Sequence, residues 1–421
     1  MRIRHSFRRA AVVAAMTPAI LPAEIPAEAH IVLTPMQEQQ IGWGEIYHAP
    51  IAYQRTTPAL ALLQETLMQA NPGKLPLYTD DNHRGLRYPH LMITNRTRVN
   101  AREIPGGHVF ISDALIAAFL SYGFDPQTGR TSGMQKERDF GNMYEFYGHS
   151  AIATAIAHED AHWMRHFLQR ETDLMTSLIT RQQENDLRVK ILAGDGSGFN
   201  SLFNALGYSD KLFPKVSEFI YKEEYEADRE AMELLDNTDS LSPGSLFTVV
   251  ARLREADPAQ AKKEKETVHP PASVRRQVAI DHIRKISHGR VELMQDGRMK
   301  LDGKLFMGSG YLPKRDDVSA FDRTVFVAGE LAKCVKYGAT RFDVIDDDYS
   351  YKQSGRMYPI KAVNDSTRKH IFIDKLDVSQ RDAAALKNGD PSGHAAEMKV
   401  AKAIKKFLES KAGRARSIGQ G

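Results

Sequence analysis

The chain has 421 residues, 42% hydrophobic and 26% charged, enough apolar material for one large domain and a smaller one, which excludes a disordered or fibrous chain. A net charge of +4 is too small to argue for a nucleic-acid partner. The one cysteine, Cys334, excludes both an internal disulfide framework and a cysteine-based zinc site, and its helical surroundings predict a packed or half-buried thiol.

Arg2, Arg4, Arg8 and Arg9 open the chain, followed by a mildly apolar Ala10–Ala23 that Pro18 and Pro22 interrupt. Ala27-Glu28-Ala29 offers a small-x-small cleavage pattern. Residues 1–29 therefore read as an export signal, and the expected location is periplasmic or secreted. The alternative is a basic arm on a cytoplasmic protein. No later apolar run is long enough to cross a bilayer, so no transmembrane span is expected.

Residues 58–70 read as helix and 85–112 as strands. Within the latter, Asn100–Ile104 and His108–Ile111 look extended on either side of Pro105-Gly106-Gly107. The two glycines allow positive φ and close backbone approach. The turn suits either a plain hairpin or an exposed edge that takes an extended peptide by strand addition. Ser121–Phe140, rich in Gly, Asp, Thr and Arg, reads as an inserted loop and a candidate lid. Helical patterns follow at 113–120, 150–192, 198–206, 214–236, 243–255 and 270–287. From Gly289 the texture changes. Gly303–Lys314 is irregular, Phe321–Tyr337 is helical, and Arg341–Ile345, Met357–Lys361 and His370–Ile373 alternate as short strands. Met398, Ala401, Ile404 and Leu408 mark a last amphipathic helix before a basic tail through Arg416. The reading is α+β throughout, mainly helical with a small sheet over residues 30–288, and a small α+β domain over 289–421. Asp346, Asp347 and Asp348 suggest either a cation site or, better, a solvated strand-end turn.

The chemistry concentrates in His158-Glu159-Asp160-Ala161-His162, which follows the apolar Ile152, Ala155, Ile156 and Ala157. On a helix, residues four apart share a face, so both imidazoles can reach one metal ion with Glu159 beside them. Zinc at such a site acidifies water towards about pKa 7, and an adjacent carboxylate can take the proton. The same five residues also fit two surface histidines and a solvated glutamate. Asp160 places a charge inside the motif and is expected to point to solvent or meet a cation.

The spacing of a third ligand separates the possibilities. A ligand set that continues along the same segment needs Gly at 165 and His at 168, where the chain has Arg165 and Leu168. The other route takes a glutamate from a second helix, with an aspartate four residues on to orient a histidine. Glu171 is followed at that offset by Met175, Glu184 by Arg188, and Glu224 by Asp228. Only Glu224 fits, and Ala227, Ala231, Leu234 and Leu235 give its helix an apolar stripe. Glu223 and Glu226 point about 100° and 200° away from Glu224. A solvated acidic face is the competing reading.

Separate segments spread along the chain carry a resemblance. Glu38-Gln-Gln-Ile41-Gly42, Asn100-Ala101 through Pro105-Gly106-Gly107, the two metal segments, and His269-Pro270-Pro271 through Arg275 come in one order. Together they resemble the zinc metallopeptidase family of the CAAX prenyl protease, HtpX, BepA and LoiP type, and within it the soluble periplasmic members. The resemblance implies a gluzincin-type peptidase domain. It implies one Zn2+ per chain on His158, His162 and Glu224, with Glu159 as general base and then acid. Asp228 would support a ligating histidine. His269 would lie near the metal as a resting-state ligand or as a donor in catalysis, and Arg275 would anchor the next helix or brace the site. The partners implied are polypeptide substrates. The function implied is a metalloendopeptidase acting on misfolded or envelope proteins; the alternative is an envelope chaperone or assembly factor with an autoinhibited zinc site. Ile220-Tyr221 stand where the family often has Ser-Arg.

Overall fold

The structure is a computed structural model. It describes residues 63–75, much of 78–131 in short pieces, 146–165, Arg170, 213–256, and most of 270–410. The expected export signal, the Glu38–Gly42 segment, Pro105–Gly107, His269 and Asp346–Asp348 lie outside the described residues, as does most of the candidate lid. Backbone contacts divide the chain into two compact units: residues up to 137 with 155–231 and 252–272, and residues 138–154 with 232–251 and 273–421.

In the first unit, α1 (residues 63–70) buries Leu63, Gln64, Leu67 and Met68. A three-stranded sheet follows, β1 (His90–Thr94), β2 (Ala101–Ile104) and β3 (His108–Ser112), in the order β1-β3-β2. β1 runs parallel to β3 and β2 antiparallel to it, with Ile104 opposite His108 and Ala101 opposite Ile111. The two extended segments around the glycine turn are therefore hydrogen-bonded neighbours. Ser112 ends β3 and starts α2 (Asp113–Leu120): its Oγ accepts from Leu115 N at 3.1 Å, which satisfies a helix-start N–H. Two-residue ladders, Tyr78–Thr79 with Arg87–Tyr88 and Phe124–Asp125 with Arg130–Thr131, complete the strands. The second of these lies inside the expected inserted loop.

Two helices carry the site. α3 (Phe146–Met164) has an unbroken buried run from Ala151 to His162, so it is a core helix rather than a surface one. α4 (Phe213–Asp236) is amphipathic: Ile220, Ala227, Ala231 and Leu234 are buried, and Lys222, Tyr225 and Arg229 are exposed. After a 3-10 turn (Pro243–Ser245) come α5 (Leu246–Ala256) and α6 (Ala272–Ile286). Pro270 and Pro271 stand immediately before α6, as a helix-start signal.

In the second unit, a short meander of β4 (Val291–Leu293), β5 (Met299–Leu301) and β6 (Lys304–Leu305) precedes α7 (Ala320–Lys336), whose residues are buried from Asp322 through Cys334. Cys334 is a buried free thiol. Next comes an antiparallel sheet, β7 (Arg341–Val344), β8 (Met357–Asn364) and β9 (Lys369–Asp377), paired in sequence order with a register shift at Ile360/Lys361. α8 (Gln380–Lys387) and α9 (Ala396–Glu409) close the described chain.

Two features hold this unit together. Gly244 and Gly329 let the 3-10 turn meet α7 backbone to backbone: a Cβ on Gly244 would sit 1.7 Å from Val325 O, and one on Gly329 2.2 Å from Ser242 Oγ. Ser242 Oγ donates to Phe326 O at 2.6 Å and accepts from Gly244 N at 3.2 Å. The second feature is a fully buried Arg323. Its guanidinium donates to Asp374 (2.7 Å), to both Glu397 oxygens (2.6 Å each) and to Pro313 O (3.1 Å), and Tyr147 OH donates to Asp374. Such an arrangement is tolerable in a core only because every charge is met. Nearby, Lys333 is equally buried, bonded to Glu330 and to Leu241 O.

Candidate metal centre

α3 presents His158 and His162 one turn apart, and α4 presents Glu224 and Asp228 one turn apart; all four are buried. Three donor groups converge. His158 Nε2 lies 3.1 Å from His162 Nε2 and 3.4 Å from Glu224 Oε2, and His162 Nε2 lies 3.5 Å from Glu224 Oε1. Tetrahedral zinc with bonds of about 2.0–2.1 Å holds its donors roughly 3.3 Å apart. The residues therefore fit a zinc ion in type, number and separation. Among the described residues, this is the one group of three or more His, Cys, Asp or Glu side chains close enough to hold a metal.

Asp228 sits behind the triad. Its Oδ1 lies 2.9 Å from His158 Nδ1, and the carboxylate is completely buried. An N–H on Nδ1 directed at that carboxylate leaves the Nε2 lone pair facing Glu224 and His162, the tautomer a metal ligand needs. Without a metal the same carboxylates favour a protonated ring, whose second proton an ion bound at Nε2 would displace. Burial alone would lower the His158 pKa, but the Asp228 hydrogen bond and the neighbouring Glu224 outweigh it and hold it at about 10. Two buried carboxylates facing these imidazoles thus make a pocket that favours positive charge. Glu159 follows His158 on α3 and is buried as well.

Asp160 corrects an expectation. It neither points to solvent nor meets a cation among the described residues. It is fully buried, and its two carboxylate oxygens accept from the Gln64 amide nitrogen of α1 at 3.3 and 3.1 Å. Burial raises its pKa to about 8; the Gln64 bond pulls the other way, and the Glu159 charge adds to the rise. A group in that environment keeps its proton at neutral pH.

Glu223 is a residue whose role sequence reasoning missed. It faces away from Glu224 as the helix geometry requires, yet it is not solvated. It is fully buried, accepting from Arg170 Nη1 at 2.8 Å and Arg165 Nε at 3.4 Å. Arg165 lies one turn past His162, so this ion pair ties the end of α3 to the turn of α4 that carries the third donor. Arg275 is buried in the first turn of α6, in the second compact unit.

Buried His-x-x-x-His and Glu-x-x-x-Asp pairs from two packed helices, with a glutamate next to the first histidine, have the donor set of a metal-dependent hydrolase of the peptidase kind. Residues 81–284 match Peptidase family M48, a span that contains all four residues. That match supports placing the chain in this family of zinc metallopeptidases. No curated protein and no solved structure matches the chain.

Proposed function

We propose that the protein is a zinc metalloendopeptidase, with His158, His162 and Glu224 as metal ligands, Glu159 as general base and acid, and Asp228 as the group that sets the His158 tautomer. The observation that carries this reading is the separation of 3.1 to 3.5 Å among the three buried donors, which suits one tetrahedral ion. The family match supports the peptidase chemistry and polypeptide substrates.

Zinc held there would supply a Lewis acid and a water acidic enough to attack at neutral pH. Asp228 holds His158 with Nε2 unprotonated. Glu159 accepts the proton as water attacks the scissile carbonyl, then returns it to the departing amine nitrogen. Asp160 cannot share that task, because its carboxyl faces the Gln64 amide of α1.

The substrates are proposed to be misfolded or envelope proteins, and the location periplasmic or secreted. The support is the basic Arg2–Arg9 start, the apolar Ala10–Ala23 and the Ala27-Glu28-Ala29 pattern. Among the described residues no helix is long and apolar enough to cross a membrane.

The test is Glu159→Gln. The variant should bind zinc one to one and lose casein cleavage by at least roughly a hundredfold, the scale of general acid–base assistance. Full retained cleavage sinks the reading. Direct sequencing of the mature N-terminus after expression in a Gram-negative host tests export; an intact Met1 refutes it.

A further inference from the structure

The second unit ends in a strongly basic stretch. Residues 396–421 hold seven Lys or Arg and two Glu, a net +5, while the whole chain is +4. Both acidic groups there are engaged: Glu397 is buried against Arg323, and Glu409 lies 3.9 Å from Lys405. Lys399, Lys402 and Lys406 are exposed and make no ion pair among the described residues. Their i, i+3, i+7 spacing sets them in one row along the face of α9 opposite buried Met398, Ala401, Ile404 and Leu408.

An apolar tip lies at the end of that row. Where β6 runs into the following turn, Phe306 is buried, but Leu305 and Met307 on either side are 36% and 38% exposed. Met307 has φ 49° and Asp302 φ 48°, a left-handed backbone that costs a non-glycine residue free energy. Two exposed aliphatic side chains held on a strained loop, with exposed Lys304 beside them, are unfavourable for a free surface.

Arg290 joins the two features. Its guanidinium donates to Asp302 Oδ1 and Oδ2 at 3.0 and 3.2 Å, and to Phe407 O and Ser410 Oγ at 3.2 Å each, while stacking over the Phe407 ring. One side chain thus places the last turn of α9, with Lys406, beside the turn that leads to Lys304 and the Leu305/Met307 tip.

We propose that this surface docks the protein on an anionic phospholipid bilayer, with the lysine row against the headgroups and Leu305 and Met307 entering the interface. Row and tip divide the work as peripheral membrane proteins do: charge for attraction, aliphatic side chains for insertion. The aliphatic tip favours a lipid over a nucleic acid, which would reward only the lysines. Lys411, Arg414 and Arg416, outside the described residues, extend the same charge in sequence.

The experiment is co-sedimentation of the full chain with vesicles of equal parts phosphatidylglycerol and phosphatidylcholine, against pure phosphatidylcholine, at low and high salt. Binding should require the anionic lipid. Lys399→Glu/Lys402→Glu/Lys406→Glu should weaken it at least roughly tenfold, and Leu305→Ser/Met307→Ser should weaken it several-fold and remove the part that resists salt. All five side chains are exposed, so the variants should keep the wild-type circular dichroism. Equal binding to pure phosphatidylcholine, absence of binding to the anionic vesicles, or no effect of either variant overturns the proposal. Effective competition by duplex DNA together with an inert tip variant would make the site a general polyanion surface instead. Casein cleavage is followed in parallel: a catalytically dead chain that still binds vesicles would refute the peptidase reading and leave this one standing.

Discussion

Replacing Asp160 by asparagine should stabilise the protein, and the gain should grow with pH. In the folded chain the carboxyl is completely buried against the Gln64 amide, with a pKa raised from 3.8 to about 8. Below pH 3.8 folded and unfolded chains both hold the proton. Between the two values the unfolded chain releases it and the folded chain keeps it, so stability falls by about 1.4 kcal/mol per pH unit and levels off above pH 8. The amide of the Asp160→Asn variant cannot ionise. Its carbonyl can still accept from Gln64 Nε2, and its nitrogen can donate to Gln64 Oε1, which is buried without a hydrogen-bond partner among the described residues. Urea unfolding of wild type and variant is to be compared at pH 5 and pH 8 with a chelator present, so that no metal charge enters. Contributions common to both proteins cancel in the difference, which should widen by about 4 kcal/mol over that interval. A difference that does not change with pH would refute the reasoning, because it would mean that Asp160 titrates alike in both states.

Asp228→Asn should lower zinc affinity by about 10- to 100-fold, the usual cost of losing a carboxylate behind a ligating histidine, as read by chelator competition; unchanged affinity would show that His158 needs no such support. Arg323→Met should cost about 3–5 kcal/mol in urea unfolding, since Asp374 and Glu397 would stay buried without their cation. Most of that loss should return in the triple variant Arg323→Met/Asp374→Asn/Glu397→Gln, and a single variant as stable as wild type would count against the ion cluster. Gly329→Ala should destabilise by about 1–3 kcal/mol, the range for overpacking, because its Cβ would meet Ser242 Oγ at 2.2 Å and Gly244 N at 2.6 Å. Thermal unfolding with no fall in midpoint would contradict that.

The candidate metal centre was legible because its pattern is local twice over: histidines four apart on one helix, and a carboxylate pair four apart on another. Only the meeting of the two helices is long-range, and elimination by offset selected Glu224 without it. Asp160 was misread because a charge inside a motif says nothing about what lies across from it; its partner Gln64 is 96 residues away on α1. Glu223 was dismissed on helix phase, which was correct for the metal but silent about Arg165 and Arg170. The long helices matched closely, α7 at Ala320–Lys336 against an expected Phe321–Tyr337. The β4–β5–β6 meander was missed, since its strands are two or three residues long and carry too little alternation to register. α8 was missed for the same want of a long periodic pattern. Sequence alone could not show the Arg323 cluster, whose members are 51 and 74 residues apart.

The contact of Gly244 with α7 has a consequence of another kind. Side chains usually leave a packed surface many ways to absorb change, by rotating or by trading one methyl for another. Here main chain lies against main chain, so the separation is set by peptide geometry and has no rotamers to adjust. Such a joint is immune to oxidation, deamidation and most chemical wear, because it exposes no reactive side chain. It is also nearly closed to gradual change. A drifting sequence could refill the rest of this core one residue at a time, but it would have to cross Gly244 and Gly329 in a single step or leave them as they are.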